Sequence, residues 1–176
     1  MRKSVLFIGM SLDGYIADVQ GGVEWMSGQT QSDDDMQSYE EFIKEVDTVI
    51  MGWNTYNQIA NELSPKQWLY EEFYSYVVTH RDLPPKKNIE FTKQSPEEIL
   101  LKLKQQDGKA IWICGGATIV SQLIEADLID RFHVSVLPIL LGDGIRLFSK
   151  QKQSMKLQLV KTQSYNGITD LIYERR

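Results

Sequence analysis

The chain is poor in the residues that bind metals or cross-link a fold. Its single cysteine, Cys114, has no partner for an internal disulfide, which is consistent with a reducing compartment. That thiol reads as a small apolar strand residue. Only two histidines are present, His80 and His133, and neither lies near cysteine or clustered acid at ligand spacing. No metal is therefore expected, and a zinc deaminase, which needs a His/Cys/Cys set with a partnering Glu, is excluded. Basic residues are outnumbered, 19 Lys and Arg against 24 Asp and Glu. A nucleic-acid binder would gather basic patches against phosphates, so that class is not expected. Long apolar runs are also lacking. Arg2-Lys3 followed by Val5 to Met10 has the order of a secretory signal, but the run is short and Asp13 interrupts it, so it reads as a first strand. No segment is long enough to cross a bilayer, and a cytoplasmic location is expected. With no linker, repeat or low-complexity tract, residues 1–176 read as one domain, large enough to bury most of its unfolded surface without a staple.

What is present is most informative at Ala110-Ile111-Trp112-Ile113-Cys114-Gly115-Gly116-Ala117-Thr118-Ile119. The apolar run is too short for a helix, whereas Ile119, Val120, Leu123 and Ile124 recur at helical spacing after the glycines. A strand, a Gly-Gly turn and a helix start follow one another. Backbone without Cβ lets a ligand approach, and the first N–H groups and positive dipole end of the helix point at it. A nucleotide pyrophosphate fits there; the plain alternative is a tight connection. A second such junction, Asp47-Thr48-Val49-Ile50-Met51-Gly52-Trp53-Asn54-Thr55-Tyr56, lies upstream. Parallel strands with right-handed crossovers bring such ends to one sheet edge, where open α/β folds bind nucleotides. The Gly-x-Gly-x-x-Gly fingerprint is missing after the first strand, where Ser11-Leu12-Asp13-Gly14 stands instead.

The remaining pattern is α/β. A Gly-rich loop spans Asp13 to Gly28, and a helix is predicted from Ser32 to Glu45, with Ser32 and Asp35 as a capping-box-like start and Met36, Tyr39, Phe42, Ile43 and Val46 as its apolar stripe. Strand Thr48 to Met51, a helix over Thr55 to Asn61, and strands Tyr74 to Thr79 and Ile89 to Thr92 follow. Ser95-Pro96-Glu97-Glu98 starts a helix that runs to about Gln105. Asp130 to Leu137 is strand-like. Asn166-Gly167 between Lys156 to Tyr165 and Ile168 to Glu174 is a strong hairpin signal, so the sheet ends antiparallel.

These residues resemble a known family. Val49-Ile50-Met51-Gly52 with Thr55, the Gly115-Gly116 pair and Ser11-Leu12-Asp13-Gly14-Tyr15-Ile16-Ala17 are similar to the dihydrofolate reductase-like fold. With Pro138-Ile139-Leu140-Leu141-Gly142-Asp143-Gly144-Ile145-Arg146-Leu147-Phe148, the resemblance narrows to the reductase domain of the bifunctional riboflavin-biosynthesis deaminase/reductase and its stand-alone relatives. It implies a mostly parallel central sheet flanked by helices with a C-terminal antiparallel hairpin, a cis Gly115–Gly116 peptide, and hydride transfer from NADPH.

By the same resemblance, Gly9 and Ile16 lie beside the nicotinamide, Gly52, Asn54 and Thr55 cradle phosphate, and Gly115, Gly116, Ala117, Thr118 and Ile119 hold the pyrophosphate. Thr55 serves equally as a plain N-cap. Trp53 departs from folate reductases, which place an Arg there; Thr79-His80-Arg81 offers a substitute cation, with Lys86 or Lys87 as the competing source. On the substrate side, Trp25 resembles the tryptophan bordering the pocket in folate reductases, or else anchors its loop. Asp13 matches the family signature and equally makes a turn. Gly142 approaches substrate or merely connects strands.

Folate reductases keep one buried carboxylate on the first helix. The matching region offers Asp33, Asp34, Asp35 and, deeper in, Glu40; three acids at a helix start also serve as solvated caps, and Asp35 is the candidate acid. Reduction of an open-chain aldehyde or imine needs little more than a positioned water, which favours the riboflavin-type reaction. The expectation is an NADPH-dependent reductase of a small molecule, with a folate or pterin reductase and a non-catalytic nucleotide-binding homodimer as alternatives. A homodimer is expected, because related reductase domains pair and Trp68-Leu69-Tyr70-Glu71-Glu72-Phe73-Tyr74 offers apolar surface.

Overall fold

Apolar residues in the central strands alternate between two cores rather than between core and solvent. In the computed structural model, which describes residues 1–31, 36–150 and 153–176, strands β1 (Ser4–Ser11), β3 (Val46–Gly52) and β6 (Ala110–Gly115) are covered on both faces. Leu6, Ile50, Ile111 and Ile113 pack on one side, and Val5, Val49, Met51 and Trp112 on the other. This is why their sequences read as unbroken apolar runs. Helices α3 (Pro96–Lys104) and α4 (Ala117–Glu125) cover the first side through Leu100, Leu103, Val120 and Leu123. Helices α1 (Gln37–Ile43) and α2 (Trp53–Gln58) cover the second through Phe42 and Tyr56. Trp112 sits in the middle of that second core, ringed by Phe7, Tyr39, Phe42, Tyr70 and Phe73.

The remaining strands are β2 (Tyr15–Ala17), β4 (Tyr74–Val78), β5 (Ile89–Thr92), β7 (Arg131–Leu137), β8 (Ile145–Arg146), β9 (Leu157–Tyr165) and β10 (Ile168–Arg175). The main sheet runs β5-β4-β3-β6-β1-β7-β10-β9, and β2 with β8 forms a small separate ribbon. Pairing is parallel from β5 to β7, and β10 is antiparallel to both β7 and β9. The expected parallel sheet closed by an antiparallel hairpin is therefore present. Among the described residues no helix is long and apolar enough to cross a membrane.

Local signals explain most boundaries. Ser95 and Glu98 form the reciprocal capping box at α3, with Pro96 in the first turn. Helix α2 starts two residues earlier than expected, at Trp53, and runs on as a π-helical turn over Ile59–Leu63. Val46, read as part of the first helix's stripe, instead opens β3, and Met36 is exposed. Ser32 to Asp35, including the capping-box start and the candidate acid Asp35, lie outside the described residues. The aromatic segment read as surface for a partner folds inward at three of its four rings, Trp68 packing half-buried against Tyr56 and Tyr70. Tyr70 and Phe73 are buried in the second core, whereas Leu69 and Tyr74 are 54% and 43% exposed.

The hairpin turn also has a tertiary role. Asn166 accepts from the Gln29 and Thr30 N–H groups at 2.8 and 3.0 Å, and its side-chain amide donates to the Thr30 carbonyl at 2.6 Å. The loop that leads to α1 is thereby fastened to the far end of the chain. A Cβ on Gly28 would stand 2.7 Å from both Cγ and the backbone oxygen of Asn166, closer than the contact tolerates. Gly28→Ala is expected to cost ~1–3 kcal/mol, the usual range for overpacking. Urea unfolding measures the loss, and amide exchange at Gln29 and Thr30 is expected to accelerate; unchanged exchange would show that the turn does not hold the loop.

Candidate functional site

The two strand-Gly-helix junctions meet at one sheet edge. β3 and β6 are parallel neighbours with Met51 opposite Gly115, so Gly52 and Gly116, the N-cap residues of α2 and α4, lie side by side. A Cβ on Gly52 would stand 3.4 Å from Ile119 Cγ1, and one on Gly116 would stand 3.5 Å from Thr55 Oγ1. Neither helix start has a side-chain cap. Their first-turn N–H groups are therefore not taken up by a capping side chain. Gly115 has φ +118°, a conformation that a side chain resists, and the Gly115–Gly116 peptide is cis.

Asn54 and Thr118 are exposed at this edge, and Ala117 is half-buried. Thr55 is the third residue of α2, so it is not the N-cap; its hydroxyl faces Gly116 instead. Ile119 is buried and packs toward Gly52, which makes its side chain a wall between the junctions and leaves only its backbone toward the gap.

A cation stands at the neighbouring strand end. Thr79 is buried and accepts from the Arg81 N–H at 3.2 Å, while His80 and Arg81 are exposed. The Arg81 guanidinium lies 4.7 Å from the centre of the Trp53 ring, which packs against Tyr56 and Phe91. Lys86 is engaged with the Tyr56 hydroxyl at 3.0 Å, and Lys93 pairs with Asp82 at 2.5 Å. Among the described residues Arg81 makes no ion pair. It borders an open depression of about 590 Å³ lined by Leu83, Pro84, Phe91 and Thr92.

On the other side of the edge, Gly9 is closely covered. A Cβ there would meet Leu137 at 3.1 Å and Met26 at 3.8 Å. Ile16 is half-buried against the first core. Asp13 accepts from the Ser11 hydroxyl at 2.6 Å, the Leu141 N–H at 3.0 Å and the Gly142 N–H at 2.7 Å. The Ser11 bond, then the backbone bonds, lower its pKa to about 2 despite a small opposing desolvation. Tyr15 adds a hydrogen bond to the Gly142 carbonyl, and Arg146 donates to the Tyr15 hydroxyl while lying 4.6 Å over its ring. This geometry gives Asp13 a loop-locking role and leaves Gly142 exposed at the rim. Trp25 is half-buried, its indole N–H donating to the Gly22 carbonyl at 3.1 Å, which is the geometry of a loop anchor.

Sequence reasoning missed a polar cluster on the same face of the sheet. Asp170 on β10 is fully buried and accepts from Ser135 at 2.6 Å, Ser38 at 2.5 Å, Gln163 at 2.9 Å and Tyr165 at 3.1 Å, with His133 Nε2 at 3.3 Å. Burial alone would raise its pKa, but the bonds from His133, Ser135, Ser38 and Gln163 hold it well below the ordinary carboxylate range. The Tyr165 hydroxyl is pushed up to about 12 by burial and by the Asp170 charge. The signal available was polarity inside strands: His133 and Ser135 alternate with Phe132 and Val134, and Asp170 stands beside Leu171. Glu40, read as lying deeper in, is exposed and is no buried acid. Burial pushes the Cys114 thiol up to about 12, the Tyr70 hydrogen bond offsetting part of this, so the thiol is unreactive.

Comparison with known proteins places the chain in a family. The family model of the RibD C-terminal domain matches residues 2–170. The Bacillus subtilis protein YwjB is 35% identical over 175 residues, spanning 99% of this chain and 98% of that protein. The crystal structure of a putative riboflavin biosynthesis protein from Shewanella sp. PV-4 superposes with a TM-score of 0.86 at 26% identity, covering 99% of each chain. A pyrimidine reductase-like protein from Corynebacterium diphtheriae shares the fold, with a TM-score of 0.68 at 17% identity over 99% of this chain and 92% of that one.

The buried carboxylate makes stability depend on acid. Its native pKa lies below the unfolded value near ~3.9, so its stabilisation is complete above that value and is lost as pH falls through the native pKa. Asp170→Asn is expected to cost about 1–3 kcal/mol near neutrality, as weakening hydrogen bonds to a buried charged acceptor does, and to cost less as the pH is lowered through the acid range. Urea unfolding along a pH series checks this; a deficit that did not shrink would show that the charge is not what stabilises.

Proposed function

Because the chain belongs to the RibD C-terminal domain family, we propose that it is an NADPH-dependent reductase of a small polar carbonyl or imine, similar to the pyrimidine reductase step of riboflavin synthesis. The observation behind this reading is the gap framed by Gly116 and Thr55, onto which two helix starts without side-chain caps open. A pyrophosphate suits uncapped N–H groups at the positive ends of two helices. The net charge of −5 requires cations to be concentrated near such a ligand, and Arg81 beside the gap satisfies that requirement.

When bound, NADPH supplies a hydride from its reduced ring. The chain's own residues orient the reaction and exclude water. Gly52, Asn54, Thr55 and Gly115 through Ile119 would hold the phosphates by backbone and hydroxyl, Ile119 by its N–H alone. Trp53 would lie against the adenine end with Arg81 at the ribose phosphate. Gly9 and Ile16 would border the nicotinamide, and the loop through Trp25 and Met26 would cover the substrate. The Asp13 knot keeps the Leu141–Gly142 rim from collapsing into that space.

Two substitutions test the cofactor reading. A β-branched side chain at Gly116 would fill the space toward Thr55 Oγ1, so Gly116→Val is expected to abolish NADPH binding, measured by quenching of tryptophan fluorescence. A folded variant that bound NADPH as tightly as the parent would remove the phosphate site. Arg81→Ala is expected to weaken NADPH by about tenfold to a hundredfold, since a charge-assisted contact to phosphate is worth roughly 1.5–3 kcal/mol, and to leave NADH almost unchanged. Equal losses for both cofactors, or none for either, would rule out that role for Arg81.

A further inference from the structure

Hydride addition to C=O or C=N leaves an electron pair on the heteroatom that a proton must take up. On the sheet face that carries Gly9, a cluster of groups able to handle that proton is gathered in one place. Phe7 and Gly9 of β1 stand opposite His133 and Ser135 of β7, which stand opposite Ile172 and Asp170 of β10. His133 Nε2 is 3.3 Å from Asp170 Oδ2 and 3.2 Å from the Ser38 hydroxyl of α1. Its ring is held edge-on to Phe7 at 4.4 Å, with Phe42 at 6.3 Å. Asp170 from β10 is the charged group bonded to it, with Tyr165 of β9 behind that carboxylate, while Arg131 of β7 and Glu174 of β10, one pair further along the same face, are ion-paired with each other at 2.9 Å. From β1 and α1 come Phe7, Phe42 and Ser38.

Holding α1 against the sheet does not require a charge. Burying a carboxylate costs several kcal/mol, and apolar replacements of similar volume are often as stable. Asp170 is nevertheless the one buried carboxylate among the described residues, and it is aimed at the histidine. A carboxylate in that position fixes an imidazole's orientation and stabilises its cationic form.

Resting on the reductase reading above, we propose that His133, positioned by Asp170 and Ser38, is the proton donor of this site. The hydride forms a new C–H bond at the carbon of C=O or C=N, and the π pair moves to the heteroatom. The N–H bond of the cationic His133 ring breaks as the O–H or N–H bond of the product forms. The substrate gains two electrons, which the dihydronicotinamide loses. The imidazole then recovers its proton from solvent, and Asp170 remains a carboxylate throughout. Asp170 and Ser38 are positioning residues, and His133 alone meets the reacting atoms.

The test uses His133→Gln, Asp170→Asn and Ser38→Ala with two acceptors. One is an aldehyde, which needs both hydride and proton; the other is a cationic iminium, which needs hydride alone. NADPH binding by tryptophan quenching is expected to stay within about twofold of the parent in all three. His133→Gln is expected to lose ~10²–10⁴-fold in aldehyde reduction, the usual worth of a general acid, while keeping the iminium rate. Asp170→Asn should follow the same pattern more weakly. Ser38→Ala carries the test of positioning if the Asp170 variant does not fold, with about a tenfold loss on the aldehyde only. Full aldehyde activity in folded His133→Gln, or equal loss on both acceptors, would overturn the proton donor and leave the reductase reading standing. A parent protein that did not bind NADPH, or bound it and reduced neither acceptor, would overturn both.

Discussion

Everything at the candidate site depends on β6 being buried on both faces between two parallel neighbours. Ile111 and Ile113 enter one core and Trp112 the other, so the strand can neither slide nor turn without exposing one set. Its end is therefore fixed relative to the end of β3, and the two helix starts converge because a register shift after Ile50 brings Met51 opposite Gly115. The first-turn N–H groups need no dedicated binding loop. The close approach of the two junctions follows from sheet packing once glycine stands at each.

Two carboxylates show how the same side chain is put to different uses by its surroundings. Asp13 lies at the surface and accepts from one hydroxyl and two neighbouring amides, which stitches the first loop to the Leu141–Gly142 rim. Asp170 is wholly enclosed and needs donors from β7, β9 and α1 to remain charged. The first joins two surface loops and the second ties α1 to the sheet. In both, the depressed pKa records the count and quality of donors more than any nearby cation.

The parallel sheet, the Gly-Gly junction, the α3 capping box and the Asn166-Gly167 hairpin were legible because each rests on local chemistry: periodicity, backbone freedom or a side chain reaching three residues away. The convergence of Thr55 with Gly116 was legible only through family resemblance, since spacing along the chain does not say which junctions become neighbours. Three things were not legible. The inward fold of Tyr70 and Phe73 depends on Trp112, some forty residues further on. The loop-locking bonds of Asp13 reach Leu141 and Gly142. The Asp170 cluster assembles from four elements, and no window of sequence contains more than a fragment of it. Polar residues on alternate positions of an otherwise apolar strand were the one trace it left.

The hairpin turn that fastens Gln29 and Thr30 has a consequence for the order in which the protein is made. Synthesis proceeds from the amino end, so the loop carrying Trp25 and Met26 emerges long before Asn166 exists to receive it. Strand β10, which supplies Asp170 to the floor beneath α1, arrives at the very end as well. The half that carries the two glycine junctions can organise around β1, β3 and β6 while translation continues, but the half beneath the Trp25 loop and α1 has no partner to close on. A nascent chain halted before the hairpin would thus hold the paired glycine junctions of β3 and β6 next to a loop and a first helix still waiting for their partners, and the two halves would be completed at different moments.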